Sequence, residues 1–143
     1  GTPTMATVTI IVVSIWQNIG FLMIIYTAGL QTIPKDVMES AELDGCSGLK
    51  KVLKIELPLL MPTVTINLFV SISGAFKSFD IPNAMTGGGP YGSTMPVAMN
   101  IYQEAFTKYN LGYGSAKSVI LFLTVAAVTL IQLYCTRKKE VEY

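Results

Sequence analysis

Few residues in this chain could carry out chemistry. There is no histidine among its 143 residues, so a base poised near neutrality would have to be a carboxylate or lysine with a shifted pKa. The two cysteines do not suggest a disulfide framework. Cys46 follows a glycine in a polar stretch, and Cys135 ends an apolar run. Neither belongs to a set of ligands at zinc-binding spacing, so no metal and no cofactor are expected. A phosphate-cradling loop needs G-x-x-x-x-G-K-[ST]. The nearest stretches, "GCSGLKK" and "GYGSAKS", fail that spacing, and the triple glycine at 87–89 precedes Pro90, not a helix. The chain is therefore expected to be no enzyme, with no catalytic residue and no ATP hydrolysis of its own. What stands out is an acidic cluster. Asp36, Glu39, Glu42 and Asp44 lie between two uncharged runs, residues 1–34 and 57–76.

The elements that position this cluster follow from composition. Charged residues make up 13% of the chain and hydrophobic residues 51%, and the mean hydropathy is +0.52. That charged share is about half that of a soluble domain, which points to an integral membrane protein with lipid around it. A net charge of +1 leaves no basic excess to neutralise phosphates, so nucleic acid is not an expected partner. Three apolar stretches reach the ~20 residues that a helical span requires: about 6–30, 57–76 and 115–136. Lipid offers no partners for backbone groups, so these stretches must be helices despite β-branched runs such as Val8 to Val13. The expected fold class is all-α, with three transmembrane helices, a loop at 33–56 and another at 80–113. The start "GTPTMATVTI" has no initiator methionine, no basic n-region and no cleavage site, which suggests part of a longer protein.

Lysine and arginine set the orientation. Lys35, Lys50, Lys51 and Lys54 occupy the first loop, and Arg137, Lys138 and Lys139 the tail. Three spans place both on one side, against Lys77, Lys108 and Lys117 on the other. The richer side is expected to be cytoplasmic. The acidic stretch then faces the cytoplasm and "MTGGGPYGST" the outside. Within the loop, Pro34 suits a first helical position, and Asp36 falls in the first turn, where the helix dipole favours acid. Gly45 is a natural helix stop. A second short helix over 49–56 then runs into Leu57-Pro58. The result is a helix–turn–helix elbow.

The spacing of this elbow is specific. Glu39-Ser40-Ala41, three residues, Gly45, nine residues, Ile55, one residue, Leu57-Pro58 resembles the E-A-A loop of binding-protein-dependent ABC transporter permeases. Only Ser40 departs from the pattern, as one small residue for another. "GFLMIIYTAGLQTIP" before the loop, with "FDIPNAMTGGGP" and "AFTKYNLGYGSAKSVILFL" after it, resemble the sugar-importing branch, which includes maltose-type and glycerol-phosphate-type permeases. The resemblance covers essentially the whole chain. It implies the C-terminal half of a type I ABC importer permease, its last three helices.

The resemblance also implies roles. The elbow would dock into a separate ATP-binding subunit through Glu39, Ser40, Ala41, Asp44, Gly45, Ile55, Leu57 and Pro58. Other implied partners are a second permease subunit, an external solute-binding protein and a carbohydrate substrate. Ser14 and Asn18 lie i, i+4 on the first span, and Ser71, Ala75 and Ser78 lie i, i+4, i+7 in and just beyond the second. These stripes either line the substrate path or hold helices together. Trp16, Phe76 and Phe79 suit sugar faces or interface anchoring, and Lys77 and Asp80 are spaced to pair. The rival reading is an ion-coupled secondary transporter or channel. It calls for acids inside the spans, and the sequence places none there.

Overall fold

Pro3 opens the first helix, where its missing N–H costs nothing, and Thr2 Oγ1 accepts the Met5 N–H at 3.4 Å. A computed structural model describes residues 2–137. Lys138 and Lys139, counted above for orientation, lie outside the described residues. Helix α1, Pro3–Gln31, is 29 residues long, about 44 Å at 1.5 Å per residue. That exceeds the ~30 Å hydrocarbon core of a bilayer. Its end is set locally: Thr32 Oγ1 donates to the Gly29 carbonyl at 2.7 Å. Pro34 follows in an extended conformation as the N-cap, so α2 begins at Lys35, one position later than the sequence suggests.

Helix α2 is Lys35–Leu43 and α3 is Leu49–Lys51. A wide π turn, Val52–Glu56, leads into α4, Leu57–Leu59. Pro58 explains the widening. It has no N–H to offer the Lys54 carbonyl, and its ring would strike that oxygen in a regular helix. The turn before it opens, and the Leu57 N–H reaches the Val52 carbonyl instead. Pro62, one turn later, follows a break at Leu60 instead of a widened turn. The stretch Leu49–Leu59 bends by 69° against α5, Met61–Phe76. Leu57–Leu59 therefore continues the direction of the elbow's second limb. Alone, α5 is about 24 Å long at 16 residues. It reaches across a membrane only when the bent pair counts as one broken span.

Beyond α5 come α6, Asp80–Thr86, α7, Val97–Tyr102, a π turn over Gln103–Thr107, and α8, Leu111–Arg137. No strand occurs among the described residues. The helix α6 falls inside what the sequence reads as loop. Long helices α1 and α8 expose Ile11, Ile15, Trp16, Ile120 and Phe122, faces that suit lipid or further helices and not water.

Two compact units divide the chain. The elbow unit holds residues 20–70 with 131–137, and the glycine-loop unit holds 2–19 with 71–130. In the elbow unit, α5 lies between the last turns of α1 and of α8. Gly29 brings α1 so close that a Cβ there would lie 2.2 Å from Thr63 Oγ1. On another face of α5, Gln132 Nε2 donates to the Thr65 carbonyl at 3.3 Å and to Thr136 Oγ1 at 2.9 Å. In the glycine-loop unit, Met99 is fully buried beneath the loop. Thr94 Oγ1 lies 2.7 Å from both Thr86 Oγ1 and the Gly89 carbonyl oxygen, closing the turn.

Candidate coupling elbow and substrate path

The elbow is built around Gly45. The Cys46 N–H donates to the Ala41 carbonyl at 2.9 Å, and the Gly45 N–H to the Glu42 carbonyl at 3.0 Å. This paired closure of the last helical carbonyls requires a left-handed residue between helix and exit, and Gly45 has φ of 73°. Ala41 and Cys46, the positions at which an apolar contact commonly accompanies such a turn, are both buried. Ala41 thus faces the chain's own interior. Glu39, Ser40, Asp44 and Gly45 are exposed, as is Leu57, while Ile55 and Pro58 are half-buried. All eight elbow residues expected to meet an ATP-binding subunit lie in one unit.

Lys51 Nζ meets Glu42 Oε1 at 2.6 Å and ties the second limb to the first. The bond and charge of Lys51 hold the Glu42 carboxyl below its ordinary pKa. Glu42 is largely exposed, so the pair adds little stability. It reports that the limbs fold together. With Glu42 engaged by Lys51, Asp36 and Glu39 are exposed acids on α2. Both cysteines are free thiols.

A family model described as "binding-protein-dependent transport system inner membrane component" matches residues 2–141. The chain belongs to that family. It is a transport permease family of the inner membrane, and not an enzyme family. Relatives include the probable starch degradation products transport system permease protein AmyD of Thermoanaerobacterium thermosulfurigenes, 39% identical over 93% of this chain and 46% of the relative. The sulfoquinovosyl glycerol transport system permease protein SmoG of Agrobacterium fabrum is 39% identical over 96% and 45%. The trehalose/maltose transport system permease protein MalF of Thermococcus litoralis is 38% identical over 93% and 45%. The chain spans about half the length of these relatives.

The substrate-path candidates of this permease chain all fall in the glycine-loop unit. Asn18 is exposed, yet its Nδ2 donates to the Ser14 carbonyl at 2.8 Å, on its own helix. Ser14 is half-buried and Ser71 exposed. Helix α5 stops at Phe76, so Ser78 is placed by the following turn, not by helical periodicity. Among the described residues no hydrogen bond joins the Ser14–Asn18 pair to Ser71 or Ser78. Phe79 packs edge-on against Tyr102 at 5.2 Å, with Phe106 next in the row. Trp16 remains exposed. No ion pair joins Lys77 to Asp80 among the described residues, because the chain turns between them.

Sequence reasoning missed a polar clasp in the same unit. Glu104 is shielded, and its Oε1 meets Lys108 Nζ at 2.8 Å and Lys117 Nζ at 3.6 Å. Lys117 also donates to Asn100 Oδ1 at 2.7 Å and sits 4.4 Å over the Tyr113 ring. Gly114 packs against Ala105, where a Cβ would lie 2.8 Å from its neighbour. The clasp fastens the π turn to the first turns of α8. The one available signal was that Glu104 is the sole acid between Asp80 and Glu140.

The bond to Lys108 lowers the Glu104 pKa below its ordinary 4.5, with the charges of Lys108 and Lys117 acting the same way against burial. A lowered folded pKa stabilises above the unfolded value and loses that contribution as pH falls through the folded one. The clasp should therefore hold at neutral pH and release only below pH 4.5. Amide exchange over 103–110 should accelerate there. In Glu104→Gln it should be fast at every pH, with no acid step.

Proposed function

We propose that this chain is the C-terminal half of a permease subunit of an ABC importer. It forms part of the path for a sugar or related carbohydrate, and it couples that path to ATP hydrolysis by a separate subunit. The carrying observation is the elbow: a helix closed by Gly45, a second limb folded back on it, and an exposed face bearing Glu39 and Ser40. Family membership and the relatives' names, which speak of starch degradation products, sulfoquinovosyl glycerol and trehalose/maltose, support the substrate class. The partners are ATP-binding subunits, a second permease subunit and an external solute-binding protein. The chain itself performs no bond chemistry and is a moving wall.

ATP-driven closure of the ATP-binding subunits would displace the elbow and bias the path between inward- and outward-facing states, as coupling through a two-state element requires. An ion-coupled carrier would place carboxylates within the spans. Glu104, the shielded acid, lies outside them and is held by lysines. Labelling of Glu39→Cys tests the reading. In membranes the thiol should react only from the cytoplasmic face, and assembled ATP-binding subunits should protect it about tenfold or more. Reaction from the outside would overturn the orientation, and no protection would overturn the docking role.

A further inference from the structure

Many polar side chains within these helices bond one turn back on their own helix. Thr27 Oγ1 donates to the Met23 carbonyl at 2.8 Å, and Thr65 Oγ1 to the Met61 carbonyl at 3.0 Å. Asn18 does the same with Ser14. Each donates one turn back on its own helix, which is one way polar groups are tolerated where water is scarce. Asn67, which is buried, does not. It is 3% exposed, and neither Nδ2 nor Oδ1 has a partner among the described residues. Gln132 leaves only its Oε1 unpaired, its Nε2 being bonded.

The face that Asn67 occupies is fixed by Thr63, one turn earlier, which lies against Gly29. Asn67 is therefore turned to α1 one turn further along the same crossing. There α1 presents its half-buried residues Leu22, Ile25 and Tyr26. The seam closes tightly at Gly29–Thr63, and beyond that it encloses an amide with no bonding partner among the described residues. The helix break at Leu60, with ψ of −3°, lies three residues before Thr63. Rotation about that break would tilt α5 and open the seam at Asn67.

We propose that Asn67 is a built-in bias in the α1–α5 seam. Its unpaired amide raises the free energy of the packed arrangement and favours a parted one, where the amide gains hydrogen-bond partners. Leaving a buried amide unpaired is costly enough to shift such an equilibrium by about tenfold or more. The inference rests on the permease reading only in taking this parting as a step of transport.

The test uses the assembled transporter in membranes, with Cys46→Ala and Cys135→Ser as background. Ile25→Cys reports the seam, and Met23→Cys, on the exposed side of α1, is the control. Asn67→Leu should slow labelling of Ile25→Cys about tenfold and leave Met23→Cys unchanged. Asn67→Thr should slow it too, because its hydroxyl can bond the Thr63 carbonyl as Thr65 bonds Met61. Unchanged or faster labelling of Ile25→Cys in both variants would overturn the proposal; that result follows if a trapped water already satisfies the amide. Equal changes at both reporters would also overturn it, as general loosening. No nucleotide is needed, so a failed coupling role would leave this readout standing.

Discussion

Gly45→Val should reduce uptake by the complete transporter roughly tenfold or more, while solute capture by the external binding protein stays unchanged. The physical cause is conformational. Gly45 holds φ of 73°, and a Cβ in that region costs about 1–2 kcal/mol, more for a β-branched side chain. Space is not limiting, since among the described residues nothing beyond its chain neighbours lies within 4 Å of a Cβ built there. With valine, the two closing hydrogen bonds from Gly45 and Cys46 are lost or strained, and the second limb leaves its angle to α2. Gly45→Asn separates two accounts. Asparagine tolerates the left-handed region, so it should keep most of the uptake if the bend alone matters. If the open space at Gly45 receives an ATP-binding subunit, Asn and Ala should fail as badly as Val. Transport assays on the three variants, with binding-protein affinity measured in parallel, decide this. Normal uptake with Gly45→Val would remove the elbow from the coupling argument.

The elbow was legible because its determinants are local. Gly45 must end α2 whatever packs around it, and the spacing from Glu39 to Pro58 records the helix, its stop and the second limb. The widened turn before Pro58 is not legible there; the sequence suggests a plain short helix over 49–56. All-helical spans were legible for a similar reason, since lipid leaves the backbone no alternative. Other features were not local. Pro58 and Pro62 are plain in the sequence, but the 69° bend between them depends on which proline breaks the helix and which only widens it. Ser78 was read as part of a helical stripe, and the helix ends at Phe76. Glu104 and Lys117 meet because a turn near Tyr109 reverses the chain, with φ of 58° at that tyrosine. Nothing in residue type announces a left-handed tyrosine. Asn67 reads as one more polar residue in an apolar run until the faces of α5 turned to α1 and α8 are known.

Gly29→Ala should be the most damaging single methyl in the elbow unit. A Cβ at that position would lie 2.2 Å from Thr63 Oγ1, 2.8 Å from its Cγ2 and 2.9 Å from its Cβ. All three are side-chain atoms on a β-branched residue, which cannot swing far aside within a helix. Close crossings of membrane helices depend on such small residues. The helices must separate or α5 must shift, at a cost of about 1–3 kcal/mol for forced overpacking. The purified transporter should unfold at a lower temperature, and its yield in membranes should fall. Thr63→Gly gives the decisive comparison. Alone it should cost only about 0.3–0.5 kcal/mol in helix propensity, threonine being itself a poor helix former, and combined with Gly29→Ala it should restore most of the loss. Simple additivity of the two changes would mean that the Gly29–Thr63 contact is not what holds the seam. Gly114 behaves differently. A Cβ there meets Ala105 backbone atoms at 3.2 and 3.3 Å as well as its Cβ. Trimming Ala105 to glycine should therefore rescue Gly114→Ala only in part, since backbone cannot be trimmed away.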